Sequence, residues 1–149
     1  MNTSKTKYAI MPETMTAAEF RRQHKGYDSE RKLQQAVCDE LDLHDVAYFA
    51  IPNGQMRTGH AMEPGMQSGV PDLCIPVPTD EYAGLYVEMK QPGKYTRPSQ
   101  REWLSDLTAE GYACRVCRSV DEVLTLYWKY IGHPGTERLT EYDLWPEQR

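Results

Sequence analysis

Residues 84–90, Gly-Leu-Tyr-Val-Glu-Met-Lys, decide how this chain folds. The segment is short, β-branched and aromatic, as a strand requires. Alternate residues on a strand share a face, so Leu85, Val87 and Met89 take one side and Tyr86, Glu88 and Lys90 the other. One side is wholly apolar and must be covered. The other sets a carboxylate beside an amine at the end of an apolar strand. Upstream, Val-Pro-Asp-Leu-Cys-Ile-Pro-Val-Pro at 70–78 reads as another strand. Pro76 and Pro78 either end it or confine it to an edge. Asp72 follows Pro71, and if the two strands pair, Asp72 and Glu88 converge on one point.

Working outward, residues 29–43 predict a helix. Leu33, Val37 and Leu41 recur every four residues with Ala36 beside them, and Ser29 is placed to cap it. Glu30 lies three residues before Leu33, along the same apolar face. It is either an acidic first-turn residue favoured by the helix dipole or a carboxylate aimed at an interior site. Residues 46–53 (VAYFAIPN) predict a strand ending at Pro52-Asn53-Gly54, followed by a glycine-rich loop to Gly69. After Lys90 comes a loop, QPGKYTRP. A second helix follows from Ser99, with Trp103, Leu104 and Leu107 on its apolar face and Gly111 as its C-cap. Residues 112–118 predict a strand. Residues 119–132 predict a third helix opened by the capping box Ser119-x-x-Glu122.

The order is α-β-β-β-α-β-α. Three sequential strands suit an antiparallel meander, and the helix before the fourth suits a crossover to a parallel pairing. The expected fold class is α/β, a mixed four-stranded sheet flanked by helices. Residues 28–132 form the expected domain, 1–27 an N-terminal extension, and 133–149 a C-terminal tail. The tail either packs through Leu139, Tyr142, Leu144 and Trp145 or serves a partner.

Composition narrows the function classes. The 149 residues carry 26% charged and 40% hydrophobic side chains, a globular balance for one domain. No apolar run approaches the ~20 residues of a membrane span, and the N-terminus lacks the apolar core of a signal peptide. The expectation is an intracellular, cytoplasmic protein without a membrane partner. The net charge of −5 disfavours a protein that lives by nonspecific nucleic-acid binding, though basic residues can still cluster locally. Cys114 and Cys117 form a C-x-x-C, but three residues apart on a strand they face opposite sides, and no second pair completes four ligands. They read as core thiols.

Two carboxylates converging with a backbone carbonyl and waters form a site for Mg²⁺ or Mn²⁺, which take hard oxygen ligands. Such a metal polarises a phosphoryl oxygen and acidifies a bound water. Lys90 would then orient or deprotonate that water, or neutralise charge developing on the phosphate. Separately, Glu-x-Lys is common on solvated strand faces and Pro-Asp is a frequent turn dipeptide. Together, Pro71-Asp72, fifteen intervening residues and Glu88-x-Lys90 are more specific.

These residues resemble the PD-(D/E)xK nuclease superfamily, and in detail its VRR-NUC (virus-type replication-repair nuclease) family. The shared features are Glu30 on the first helix, Gly69-Val70-Pro71-Asp72-Leu73, Val87-Glu88-Met89-Lys90, and Gln100 opening the next helix, across residues 28–131. The resemblance implies a restriction-endonuclease-like core. It implies that Asp72, Glu88 and the Met89 carbonyl hold the metal, with Glu30 a direct or water-mediated ligand, and that Lys90 is the catalytic lysine. Gln100 is then either a satisfied amide at a helix start or active-site support. Arg57, His60, Lys94, Tyr95 and Arg97 lie in flanking loops. Each alone is an ordinary surface residue; together they form a candidate DNA-facing rim.

The expected activity is a metal-dependent endonuclease hydrolysing DNA phosphodiesters, with no small-molecule cofactor. By resemblance to single-domain members, the expected substrate is branched DNA such as four-way junctions or flaps. The expected assembly is a homodimer, in a phage or bacterial setting. The rival readings are a non-catalytic DNA-binding module or repair-assembly subunit, and a scaffold whose contact segment is the tail EYDLWPEQR.

Overall fold

The computed structural model describes residues 29–52 and 63–146. Its elements are α1 (Glu30–Leu43), β1 (Phe49–Ala50), β2 (Leu73–Ile75), β3 (Leu85–Met89), α2 (Pro98–Ala109), β4 (Ala113–Cys117), α3 (Val120–Tyr130) and a 3₁₀ turn, Glu141–Asp143. The sheet runs β1-β2-β3-β4, antiparallel across the first two pairings and parallel between β3 and β4. This is the predicted mixed sheet. No helix among the described residues is long and apolar enough to cross a membrane.

The alternation of β3 sorts the molecule into layers. Leu85, Val87 and Met89 are fully buried against Leu33, Val37 and Leu41 of α1 and Val123, Leu124 and Leu126 of α3. The opposite face packs Tyr86, Cys114 and Val116 against Leu104 and Leu107 of α2. Cys114 and Cys117 are free, buried and in different clusters, so the C-x-x-C is a pair of core thiols split by the sheet. Burial pushes the Cys117 thiol up to about 12, which keeps it uncharged.

Helix ends follow their predicted chemistry with one exception. Ser29 Oγ accepts from the Lys32 amide at 3.2 Å. Gly111 follows α2 at φ +93, and the amides of Gly111 and Tyr112 close on the carbonyls of Thr108 and Leu107. At α3, Ser119 Oγ accepts from the Glu122 amide, but Glu122 Oε2 accepts from the amide of Arg118, not Ser119. The reciprocal box is therefore displaced by one residue. At the end of α1, Asp45 takes φ +53, and its amide and that of Val46 bond Asp42 and Leu41.

One strand expectation needs correction, and one pair of alternatives is resolved. The strand foreseen from Val46 onward pairs only at Phe49–Ala50, and both residues are exposed. Its partner β2 is only three residues long, so the ladder stops early. β2 itself lies inside the sheet, between β1 and β3. Its prolines bound it, since Pro76 and Pro78 fall beyond Ile75 where no ladder bond is needed.

Beyond α3 the chain returns across the sheet. Leu144 and Trp145 are buried, while Tyr142 stays exposed. The Trp145 amide donates to the Cys114 carbonyl at 2.8 Å, and its indole Nε1 donates to Ser105 Oγ at 3.2 Å. Lys129 Nζ holds Asp143 Oδ1 at 3.0 Å, fastening the 3₁₀ turn to α3.

Candidate active site

Register builds the site. Leu73 pairs with Val87, and Asp72 precedes the one as Glu88 follows the other, so the antiparallel ladder sets Asp72 opposite Glu88. Asp72 Oδ2 accepts from the Met89 amide at 2.7 Å, which ties the loop end of β2 to β3. Both carboxylates are buried, as are Lys90 and Gln100. Buried charge is costly unless it is paired or coordinates a metal, so three charged groups and an amide buried in one place need an explanation.

The contacts supply part of it. Lys90 Nζ lies 3.5 Å from Glu30 Oε1 and 3.8 Å from Glu88 Oε1. Gln100 Nε2 donates to the same Glu88 oxygen at 2.6 Å, while Gln100 Oε1 accepts from the Arg97 amide at 2.8 Å. Gln100 thus spans the start of α2 and the carboxylate. It shares its inward stripe with Leu104 and Leu107; Trp103 sits to the side, half-buried.

Glu88 Oε2 is buried without a hydrogen-bond partner among the described residues. Burial, and then the neighbouring charge of Asp72, push the Glu88 carboxyl up to about 9; Lys90 and Arg97 oppose the rise. Asp72 is raised as well, first by burial, with the Met89 amide pulling the other way and Glu30 adding to the rise. Two raised carboxyls with one orphan oxygen match the donor set of a hard divalent cation, whose charge would reverse both shifts. Asp72, Glu88 and the adjacent Met89 carbonyl therefore fit such an ion. Among the described residues no group of three or more His, Cys, Asp or Glu side chains could hold a metal. Glu30 instead faces Lys90.

Gly69 brings the halves of the site together. Its φ is +87, and a Cβ there would lie 2.7 Å from the Ser99 carbonyl carbon. Only glycine lets the loop leading to Asp72 press against the first turn of α2. The loop between β3 and α2 is fixed from outside. Arg118 Nη2 donates to the Lys94 carbonyl at 3.1 Å, and Arg101 Nη1 donates to the carbonyl of Thr96.

The structure thus brings together six residues singled out in the sequence: Glu30, Asp72, Glu88, Met89, Lys90 and Gln100. Lys94, Tyr95 and Arg97 are exposed on the adjoining loop. Arg57 and His60 lie outside the described residues. The loop supports Arg101 and Arg118 went unnoticed from sequence, because both contacts exist only once the chain has folded. Gly69 was visible in Gly-x-Pro-Asp, but its contact with Ser99 was not.

Comparison with known proteins agrees with this geometry. The VRR-NUC domain family matches residues 21–121, which include all six of these positions. A solved structure of a VRR_NUC domain protein has a TM-score of 0.55 and 27% sequence identity, covering 78% of this chain and 100% of that one. No protein of curated function matches the chain. With the family match spanning most of its length, and the carboxylates, lysine and glutamine clustered as described, the chain belongs to the VRR-NUC family of nucleases.

Proposed function

We propose that the protein is a divalent-metal-dependent endonuclease that hydrolyses DNA phosphodiester bonds, with branched DNA as its substrate and a homodimer as its working form. The observation behind the catalytic part is the buried Asp72–Glu88 pair, whose Glu88 Oε2 has no hydrogen-bond partner among the described residues. Asp72, Glu88 and the Met89 carbonyl would hold Mg²⁺ or Mn²⁺, with Glu30 a further direct or water-mediated ligand. A cation held there would polarise a phosphoryl oxygen and make a water molecule a better nucleophile.

Hydrolysis adds water across one P–O bond. The water oxygen bonds to phosphorus, and the departing ester oxygen takes up a proton. Lys90 Nζ, close to both Glu30 and Glu88, donates hydrogen bonds to the attacking water and to a non-bridging phosphate oxygen. Gln100 holds Glu88 in place. Lys94, Tyr95 and Arg97 meet the DNA beside the scissile phosphate, and Arg57 and His60 are further candidates for DNA contact from the sequence. Branch preference and dimerisation rest on likeness to single-domain members of the family.

The test incubates wild type, Asp72→Asn and Lys90→Ala with labelled four-way junction, flap, duplex and single-stranded DNA, in Mg²⁺ or in EDTA. Cleavage by wild type in Mg²⁺ alone, abolished in both variants, supports the reading. Binding without cleavage, equal in all three proteins, replaces it with a DNA-binding module. Equal cutting of duplex and branched DNA removes the branch preference, and a monomer by sedimentation equilibrium with DNA removes the dimer.

A further inference from the structure

Tyr95 is 79% exposed, the most exposed large hydrophobic side chain among the described residues. A solitary exposed aromatic on a loose loop would mean little. Tyr95, however, sits on a braced one. The residue before it is held through its carbonyl by Arg118 Nη2 at 3.1 Å, and the residue after it through its carbonyl by Arg101 Nη1. Thr96 is itself buried, and the Lys94 amide closes a turn onto the Gln91 carbonyl at 3.1 Å. The backbone is fixed on both sides while the ring is left in water.

The ring's neighbours give it a place. Tyr95 lies five residues beyond Lys90 and five before Gln100, between the two elements that carry the site. Arg97, two residues on, is near enough to Glu88 for its charge to oppose that group's raised pKa. Lys94 and Arg97 flank the ring with positive charge and are exposed. Cations that meet phosphate beside a rigid, solvated π-face are the parts of a platform for an unstacked base. A paired duplex buries its base faces in its own stack and offers nothing for such a ring to cover. A branch point or gap offers an unpaired face.

We infer that Tyr95 is a stacking platform for an unpaired base next to the scissile phosphate, so that recognition of branched DNA lies in the braced loop 91–97. The inference rests on the proposed nuclease reading and adds the feature of the substrate that is read. Tyr95 does not enter the chemistry; it positions DNA for Lys90 and the carboxylates. The braces hold the backbone on either side of the ring, so little backbone freedom remains to be lost on binding.

The experiment places 2-aminopurine at an unpaired position beside the branch of a flap, and the same base within a perfect duplex. Fluorescence and affinity are measured in EDTA for wild type, Tyr95→Phe, Tyr95→Ala and Arg118→Met. Wild type and Tyr95→Phe are expected to quench the unpaired probe, and Tyr95→Ala to leave it bright. The ratio of flap to duplex affinity should fall about tenfold or more in Tyr95→Ala, as for loss of one base–aromatic stack. Arg118→Met should fall between the two. Equal quenching by Tyr95→Ala and wild type, or an equal loss on flap and duplex, overturns the inference. Failure of the parent reading shows separately, as absence of Mg²⁺-dependent cleavage of every DNA by wild type, and it takes this inference with it.

Discussion

Gln100 Nε2 reaches Glu88 Oε1 at 2.6 Å from a different element, and its own Oε1 is bound by the Arg97 amide. One amide side chain therefore completes the cap of α2 and restrains the most deeply buried carboxylate of the site. Gln100→Ala should cut Mg²⁺-dependent cleavage roughly 10- to 100-fold, the usual cost of losing a group that orients a metal ligand. Gln100→Glu should lose more, because a second carboxylate would face Glu88. Single-turnover cleavage of a flap, with melting temperatures to confirm folding, checks both.

The Glu88 shift predicts how the metal-free protein responds to pH. Its folded value, about 9, lies above the ordinary 4.5. A raised carboxyl contributes stability that is fully present below pH 4.5 and is lost as pH rises through 9. In EDTA, Glu88→Gln should therefore melt above wild type at pH 8, with the gap closing toward pH 4. Mg²⁺ should raise the wild-type melting temperature at pH 8 and leave Glu88→Gln nearly unmoved. Differential scanning calorimetry across pH, with and without Mg²⁺, reads both effects. Parallel curves for the two proteins would refute the burial argument.

Gly69 predicts a contrast between two glycines. Gly69→Ala adds a methyl 2.7 Å from the Ser99 carbonyl carbon, at φ +87. It should cost about 2–4 kcal/mol, combining left-handed strain with overpacking. Gly93 has a similar φ of +79, but among the described residues a Cβ there meets nothing within 4 Å, so Gly93→Ala should cost only about 1 kcal/mol. Urea denaturation of the two variants measures the difference. Flap cleavage should suffer in Gly69→Ala, since the loop leading to Asp72 must shift.

Asp45 offers a stabilising change. It ends α1 at φ +53, a left-handed place that glycine occupies without a Cβ penalty. Its carboxylate also lies at the negative end of the helix dipole. Asp45→Gly should gain roughly 0.5–1 kcal/mol and leave cleavage unchanged. Equal urea midpoints for variant and wild type would count against it.

The sequence displayed what repeats and hid what folds over. Leu33, Val37 and Leu41 announce their helix face because each is required by the same packing layer. Leu85, Val87 and Met89 do so for β3. Asp72 and Glu88 were readable as a pair because their strands are neighbours in sequence, and a pairing assumption sufficed to align them. β1 was overestimated because Val46, Tyr48, Phe49 and Ile51 suit a pleated surface in general, whereas the ladder is limited by its partner, which stops at Pro76. The spacing of a capping box points Glu122 to the Ser119 amide, yet its side chain reaches one residue farther, to the amide of Arg118. Arg101 and Arg118 left no local sign, since the carbonyls they hold are placed by tertiary structure.

The return of the chain across β4 has its own consequence. Unpaired strand edges are templates onto which other chains polymerise. The Trp145 amide takes the Cys114 carbonyl, and the buried Leu144 and Trp145 lie over the strand. That rim of the sheet is thereby insulated against aggregation by the protein's own backbone. At the opposite rim, β1 offers only Phe49 and Ala50 to a passing strand, too short a template for a growing fibril.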